Sequence, residues 1–215
     1  MKAEVKICGL DRVETVEASV EAGAGMMGFV FYSPSPRSLT PIEASILTAR
    51  VPSDVKRVGL FVDPTDEEIL KVMDKNTFDM VQLHGEETPE RVLDIKDLIG
   101  LPVMKVLKIS CIQDLSFPSE YEDVVDYFLF DAFAPKDIKG ALPGGNALSF
   151  DWSILSGVDI SQPWVLAGGL NPENVKEAMI ISGARAVDVS SGVEDRPGVK
   201  STDKIRTFIE AVLTA

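Results

Sequence analysis

The chain of 215 residues contains little of several residue types, and each shortage excludes a kind of protein. It has one histidine, His84, which excludes metal sites built on two or more histidines and mechanisms with paired histidines. Its two cysteines, Cys8 and Cys111, follow apolar runs that we expect on opposite sides of the fold, so a disulfide is not expected and a reducing cytoplasm fits. No apolar stretch approaches the roughly 20 residues of a membrane helix, and we expect no signal peptide.

Basic residues are also the minority, because 21 Lys and Arg face 34 Asp and Glu, which gives a net charge of −13. An acidic surface disfavours nonspecific binding to nucleic acids and to anionic membranes. An anionic small molecule remains compatible with it, since helix N-termini and one arginine can make a local anion site. We therefore expect a small-molecule partner, no nucleic acid and no membrane.

Eight short apolar runs alternate with segments that carry helix-start signals. The runs span residues 4–8, 26–32, 57–62, 80–84, 103–109, 127–132, 164–167 and 186–190. Most are continuous, as expected for parallel strands covered on both faces. Helices are predicted to begin where a capping residue precedes proline or acidic residues, at Thr40-Pro41, Thr65-Asp66, Thr88-Pro89 and Asn171-Pro172.

Eight strand-then-helix units give either a closed parallel barrel or a doubly wound sheet. No Gly-x-Gly-x-x-Gly dinucleotide motif follows the first run, and eight units fit the barrel. The sequence therefore predicts an α/β chain with the (β/α)8, or TIM, barrel fold, as a single compact domain over residues 1–215.

Polar residues stand where these runs end, and in such a barrel those ends form the catalytic rim. The ends of runs one, four, six, seven and eight include Cys8-Gly9, Gln82-Leu83-His84-Gly85, Asp131-Ala132, Gly168-Gly169 and Asp188-Val189-Ser190-Ser191-Gly192. This placement predicts an enzyme before any single residue is interpreted.

Two glycine-containing segments at the ends of runs seven and eight predict a phosphate site. Gly168-Gly169 precedes an expected helix start, and Ser190-Ser191-Gly192 follows the last strand. Glycine lets the backbone approach a phosphate, and free backbone N–H groups bind anions without a basic side chain. Tight turns without a ligand are the alternative, but barrels commonly hold phosphate after strands seven and eight.

Cys8 is a candidate nucleophile or general base. Lys6 lies two residues earlier on the same face of the strand, and a nearby cation is expected to lower the thiol pKa from about 8.5. The alternative is a small buried hydrophobic residue.

Asp131 is a candidate general acid at the end of the sixth run. We expect the aromatic residues Phe128, Phe130 and Phe133 to surround its carboxyl and to raise its pKa by desolvation. The alternative is an aspartate that braces the following loop.

Four further side chains could contact a substrate. Arg37 lies in a long Ser-Pro-rich loop and could fork onto a carboxylate, although a solvated loop arginine is the simpler interpretation from the residues alone. Gln82 and His84 share one face of the fourth run. Asp188 is expected to pair with Lys6 where the last strand meets the first, and purely structural neutralisation of a buried lysine is the alternative.

In their order and spacing, the motifs resemble the phosphoribosylanthranilate isomerase family over the whole chain. They are Lys6-Ile7-Cys8-Gly9-Leu10, Ser35-Pro36-Arg37, Gly59-Leu60-Phe61-Val62, Gln82-Leu83-His84-Gly85, Phe130-Asp131, Phe150-Asp151-Trp152, Ala167-Gly168-Gly169-Leu170-Asn171-Pro172-Glu173-Asn174 and Val187-Asp188-Val189-Ser190-Ser191-Gly192-Val193-Glu194.

The resemblance implies a (β/α)8 barrel that performs an Amadori rearrangement of N-(5-phosphoribosyl)anthranilate without cofactor or metal. It implies that Asp131 protonates the furanose ring oxygen and that Cys8 removes the C2′ proton. It places Arg37 near the anthranilate and the phosphate on the loops of strands seven and eight. We expect Gln82, His84 and Asp188 to contact this small phosphoribosyl substrate, and the protein to be a cytoplasmic monomer or homodimer.

One segment departs from the family, whose members usually have Gly-Gly-Thr-Gly or similar before Phe-Asp-Trp. This chain has Gly144-Gly145-Asn146-Ala147 there, and a lost glycine could stiffen the loop or alter its closure.

Three alternative functions stay open beside the isomerase. Another phosphosugar barrel is one, although indole-glycerol-phosphate synthase uses Lys and Glu at strand ends and ribulose-phosphate epimerase holds a metal partly with two histidines. A bifunctional enzyme that also isomerises a phosphoribosyl substrate of histidine biosynthesis is the second. An inactive phosphate-binding barrel is the third, and the presence of Cys8, Asp131 and Arg37 argues against it.

Overall fold

The computed structural model describes residues 3–133, 144–145 and 148–215. Eight parallel strands follow one another around a closed barrel. They are β1 (Glu4–Cys8), β2 (Met26–Val30), β3 (Lys56–Phe61), β4 (Met80–Leu83), β5 (Val103–Ile109), β6 (Tyr127–Ala132), β7 (Trp164–Leu166) and β8 (Ala186–Val189). Because β1 pairs with both β2 and β8, the sheet has no free edge. The predicted barrel is confirmed, and every predicted run overlaps its strand.

Helices cover the outside of the barrel. They are α1 (Val13–Ala22), α2 (Pro41–Thr48), α3 (Asp66–Met73), α4 (Pro89–Ile99), α5 (Pro118–Tyr121), α6 (Val175–Ser182) and α7 (Thr202–Leu213). Short 3-10 helices occur at Ile112–Ser116, Trp152–Leu155 and Ser191–Val193. A small antiparallel hairpin of β9 (Glu194–Arg196) and β10 (Val199–Lys200) follows β8.

Three predicted helix starts are confirmed by side-chain caps. The hydroxyls of Thr40, Thr65 and Thr88 accept hydrogen bonds from the N–H groups three residues later, at the beginnings of α2, α3 and α4. These caps satisfy N–H groups that have no partner inside the helix.

The predicted helix start at Asn171 is wrong. The Asn171 side chain accepts from the N–H groups of Glu173 and Asn174 at 3.0 Å each, which closes a turn, and α6 begins only at Val175. Asparagine favours such turns because its side chain replaces a backbone acceptor. In return, the Asn174 side chain binds the N–H of Asn171 and the carbonyl of Gly169, so the turn holds the loop after β7 in place.

The strict repetition of strand and helix is also wrong in two places. After β5 there is only a 3-10 helix and the four-residue α5, whose first residue is Pro118, which lacks an N–H donor. Within the described part of the β6–β7 connection, the only helix is the 3-10 helix Trp152–Leu155. Asn146 and Ala147, where the chain departs from the family pattern, lie outside the described residues.

The barrel interior is filled by side chains from the strands. One buried cluster inside the barrel consists of Met26, Val58, Met80, Met104, Val106, Leu129, Val165 and Ala167. A larger cluster packs between the strands and the helices. A third, made of Cys8, Val30 and Leu60, lies at the C-terminal ends of β1 to β3. Because the middle of the barrel is packed, the strands leave room for a ligand at the rim rather than in the barrel interior.

Candidate active site

A cavity opens at the C-terminal ends of the strands, with about 780 Å³ of empty volume, part of it open to solvent. Nine of the eleven predicted site residues line it: Cys8, Arg37, His84, Asp131, Gly168, Gly169, Asp188, Ser190 and Ser191. The space suits a small-molecule ligand. The rim therefore brings together residues from β1, β6 and β8 and from the loops after β2, β4, β7 and β8.

Gln82 and Gly192 do not line the cavity, although both support residues that do. Gln82 is fully buried, and its amide nitrogen lies 3.3 Å from Nδ1 of His84. A Cβ on Gly192 would overlap the carbonyl of Leu170, so this position needs glycine because the loops after β7 and β8 touch there. The predicted direct contacts of these two residues with a ligand remain predictions.

The thiol of Cys8 lies beside a buried ion pair. Lys6 Nζ is 2.8 Å from Asp188 Oδ1, and both residues are buried. A Cβ on Gly28 would lie 2.9 Å from Cys8 Sγ and 3.1 Å from Lys6 Nζ. The glycine on β2 therefore leaves the space that the thiol and the ammonium share.

The expected lowering of the thiol pKa by Lys6 does not prevail. Burial raises the pKa of Cys8, the Lys6 ammonium lowers it by a smaller amount, and the Asp188 carboxylate raises it again. The net direction is upward because Asp188 offsets much of the Lys6 charge while burial disfavours the thiolate. The pKa of Lys6 is itself raised, since Asp188 and Cys8 outweigh the opposite effect of burial.

Asp131 faces His84 rather than a ring of aromatic side chains. Its Oδ1 accepts from the N–H of Ala132 at 2.8 Å, and its Oδ2 is 3.3 Å from His84 Nε2. That approach is within ion-pair distance, but its angles are not those of a hydrogen bond.

The prediction that phenylalanines surround Asp131 is wrong because neighbouring side chains of a strand point to opposite faces. Phe128 and Phe130 belong to the core between strands and helices, where their rings stack 6.1 Å apart. Phe133 is 43% exposed. The carboxyl instead lies under Gly144, where a Cβ would be 2.8 Å from its Oδ2.

Arg37 is buried, so its interpretation as a solvated loop arginine is wrong. It is 6% exposed, and its Nε and Nη2 donate to the two oxygens of Glu194 at 2.7 and 2.9 Å. Lys200 also donates to Glu194 and to the carbonyl of Ser190. Sequence reasoning missed Glu194 and Lys200 in this role, and the only signal was a charged residue two positions after the Ser190–Gly192 segment.

The two predicted phosphate loops have the backbone that an anion site requires. Gly168 and Gly169 have φ of +89° and +62°, a region that favours glycine. A Cβ on Gly169 would lie 2.8 Å from the Leu148 carbonyl. Among the described residues, the backbone N–H groups of Gly169 and Ser191 have no hydrogen-bond partner. Both line the cavity, so they are available to a ligand.

The part of the chain that the structure describes has neither a metal-ligand cluster nor a membrane-spanning helix. It contains no group of three or more His, Cys, Asp or Glu residues that could hold a metal ion. It also contains no helix long and apolar enough to span a membrane.

A closed parallel barrel with a thiol, a carboxyl and a guanidinium at its C-terminal rim is a (β/α)8-barrel enzyme. The model of the N-(5'-phosphoribosyl)anthranilate (PRA) isomerase family matches residues 5–211. The N-(5'-phosphoribosyl)anthranilate isomerase of Paramagnetospirillum magneticum is 54% identical, over 98% of this chain and 97% of the relative. That of Paracoccus denitrificans is 51% identical, over 97% and 96%. The chain belongs to the N-(5'-phosphoribosyl)anthranilate isomerase family.

Solved structures agree with this assignment. The phosphoribosyl anthranilate isomerase of Thermotoga maritima superposes with a TM-score of 0.87 at 38% identity, over 99% of this chain and 100% of the other. An isomerase in complex with reduced 1-(o-carboxyphenylamino)-1-deoxyribulose 5-phosphate gives a TM-score of 0.81 at 35% identity, over 99% and 100%. The Thermotoga maritima enzyme is described as dimeric.

Proposed function

We propose that this protein converts N-(5-phosphoribosyl)anthranilate to 1-(2-carboxyphenylamino)-1-deoxyribulose 5-phosphate by an Amadori rearrangement, with Cys8 as general base and Asp131 as general acid. The isomerase activity of the family belongs to tryptophan biosynthesis. The observation that carries the assignment of roles is that Cys8 and Asp131 line one cavity, with the loops after β7 and β8 lying between their strands around the rim.

The two ends of such a substrate have different chemistry, and so do the two sides of the cavity. The N–H groups of Gly169 and Ser191, which have no partner among the described residues, suit the phosphate. Across the rim, Val30 and Leu60 form an apolar wall on which Tyr32 and Val62 pack, with Arg37 beside it. An apolar wall next to a guanidinium suits an aromatic ring that carries a carboxylate. The ribose would then lie between Cys8 and Asp131.

The reaction needs one proton donor and one proton acceptor. The carboxyl of Asp131 protonates the ring oxygen, the C1′–O4′ bond breaks, and the nitrogen lone pair forms the C1′=N bond of a Schiff base. The thiolate of Cys8 then removes the proton from C2′; that electron pair forms C1′=C2′, and the C1′=N pair returns to nitrogen. Tautomerisation of this enolamine moves the O2′ proton to C1′ and gives the ketone. Every electron pair stays within the substrate, so the proposal needs no cofactor or metal.

We propose that Gln82, His84 and Asp188 act by supporting the two catalytic groups, Cys8 and Asp131. His84 lies against Asp131, Gln82 against His84, and Asp188 against the lysine beside Cys8. We further propose a cytoplasmic monomer or homodimer that binds no nucleic acid or membrane. The net charge of −13 supports the absence of nucleic-acid and membrane binding, and the dimeric Thermotoga maritima relative supports a homodimer. Sedimentation of the purified protein tests the assembly state.

The test is loss of N-(5-phosphoribosyl)anthranilate in metal-free buffer with chelator, for the wild type and for Cys8→Ala and Asp131→Asn. Each substitution is expected to lower kcat by about 10²-fold or more, the usual scale for a lost acid or base. Cys111→Ala and Asp159→Asn change exposed residues of the same types and are expected to keep the wild-type rate. A near-normal rate for either cavity variant refutes its role. Ligand binding by the wild type without turnover would favour an inactive barrel.

A further inference from the structure

We propose that Glu194 is a positioning residue, which holds Arg37 so that the free edge of its guanidinium receives the carboxylate of the substrate. The inference rests on the proposed function, because it assumes a ligand with a carboxylate on its aromatic ring. Glu194 itself would touch no substrate and would act only through Arg37.

All acceptor positions of the Glu194 carboxylate are occupied. Its Oε1 accepts from Arg37 Nε at 2.7 Å and from Lys200 Nζ at 2.5 Å. Its Oε2 accepts from Arg37 Nη2 at 2.9 Å and from the N–H of Gly198 at 3.1 Å. A carboxylate offers about four lone-pair sites, so four donors leave none for a ligand. Glu194 is also buried, which keeps water from competing for these bonds.

The guanidinium of Arg37 is a rigid plane, so a fixed edge determines where the other edge points. The edge formed by Nε and Nη2 is held by Glu194. The remaining nitrogen, Nη1, lies toward Gly145, where a Cβ would be 2.8 Å away, and Gly145 lines the cavity. Fixing the outer edge therefore presents the inner edge to the cavity without the usual loss of side-chain freedom on binding.

Two glycines allow this arrangement. Gly9 has φ of +76°, and a Cβ there would lie 2.6 Å from Cδ of Arg37. Gly198 has φ of +78°, and a Cβ there would lie 2.9 Å from the carbonyl of Pro36. The arginine stem thus passes over Gly9, and the β9–β10 hairpin approaches the arginine loop through Gly198. The hairpin after β8 has the geometry of a support for Arg37.

The charges of the cluster agree with an anionic ligand. Arg37 and Lys200 both pair with the carboxylate of Glu194. Burial lowers the pKa of Lys200 although Glu194 raises it, whereas the guanidinium of Arg37 lines the cavity beside the apolar wall. Burial would raise the pKa of Glu194, but the hydrogen bond from Arg37 and the charge of Lys200 lower it, so Glu194 stays ionised at neutral pH. The substrate carboxylate would pair with the guanidinium of Arg37 at its cavity edge.

The experiment compares two stable ligands by calorimetry. One is reduced 1-(o-carboxyphenylamino)-1-deoxyribulose 5-phosphate, and the other is the same amine without the ring carboxylate. Glu194→Gln is expected to weaken the first ligand by about tenfold or more, the scale of a lost charged hydrogen bond, and the second by less than about threefold. In turnover, the same variant is expected to raise KM by a larger factor than it lowers kcat.

A second variant protects the test against misfolding. Glu194→Gln alone leaves two buried basic side chains without the carboxylate that they share, whereas Glu194→Gln with Lys200→Met removes that carboxylate together with one of the two basic side chains. The double variant is expected to show the same loss, selective for the carboxylated ligand. Equal weakening of both ligands, or no weakening of either, overturns the inference. A wild type that binds neither ligand overturns the proposed function and the inference with it.

Discussion

Lys6 and Asp188 face each other across the seam where β8 closes against β1, with 2.8 Å between Lys6 Nζ and Asp188 Oδ1. The two residues are 182 positions apart in the chain and are direct partners in the strand register. Both are buried, and Cys8 ends the same strand as Lys6. The ion pair expected from the sequence is confirmed, and it joins the closure of the barrel to the environment of the thiol.

Replacing Lys6 with methionine is expected to lower the free energy of unfolding by about 3–5 kcal/mol, because it leaves the Asp188 carboxylate buried without a cation. Urea denaturation measures the change. Lys56→Met removes a lysine from the half-exposed pair with Glu4 and is expected to cost about 0–1 kcal/mol. Lys6→Met with Asp188→Leu is expected to recover most of the loss. A Lys6→Met variant as stable as the wild type would contradict the stabilising role of the Lys6–Asp188 pair.

The pH profile of kcat/KM is expected to rise through a base limb above the ordinary thiol pKa of about 8.5. Cys8 must be deprotonated to act as a base, and burial raises its pKa. The deprotonated fraction of the enzyme therefore continues to increase at pH values where a free thiol would already be fully ionised. The measurement is kcat/KM against pH in a Cys111→Ala background. A limb centred below the ordinary value would show that another group is the base or that the thiolate is stabilised.

The tautomer of His84 with its proton on Nε2 is expected, because the amide nitrogen of Gln82 lies 3.3 Å from Nδ1 and can donate to it. That tautomer puts the N–H on the ring nitrogen that lies 3.3 Å from Asp131 Oδ2. The chain has one histidine, so heteronuclear NMR of its imidazole nitrogens reports on this residue alone. Gln82→Leu is expected to populate the other tautomer, whereas Gln113→Leu, at an exposed position, leaves the spectrum unchanged. A proton on Nδ1 in the wild type would reverse the assigned amide orientation.

Gly169→Ala is expected to weaken inhibition by inorganic phosphate by about tenfold, the effect of losing about one net hydrogen bond to a charged group. A Cβ there would lie 2.8 Å from the Leu148 carbonyl and would shift the backbone of this cavity-lining residue. Gly183→Ala is the control: its φ of +75° is similar, but nothing lies within 4 Å of its Cβ. Both variants carry the backbone strain of a positive φ, so only a difference in phosphate inhibition supports the site. Equal inhibition in both variants would refute it.

Much of the fold was predictable because its signals are local. The apolar runs match the strands. At helix starts such as Thr40 and Thr65, the threonine side chain accepts a hydrogen bond from the backbone N–H three residues later. A parallel barrel places every strand end on one rim, so residues such as Cys8 and Asp131 could be assigned to a common cavity without knowing any distance. The predicted helix start at Asn171 is wrong because asparagine can either cap a helix or close a turn, and here its side chain closes a turn.

The sequence by itself determined the order of strands and helices, the rim and most of the residues on it. Only the tertiary structure decided that Arg37 is held by Glu194, 157 residues later, and that burial outweighs Lys6 in setting the thiol pKa. The physical reason is the range of the forces. Caps and apolar periodicity act within a few residues, whereas burial and the pairing of charges depend on which distant segments the closed barrel brings together.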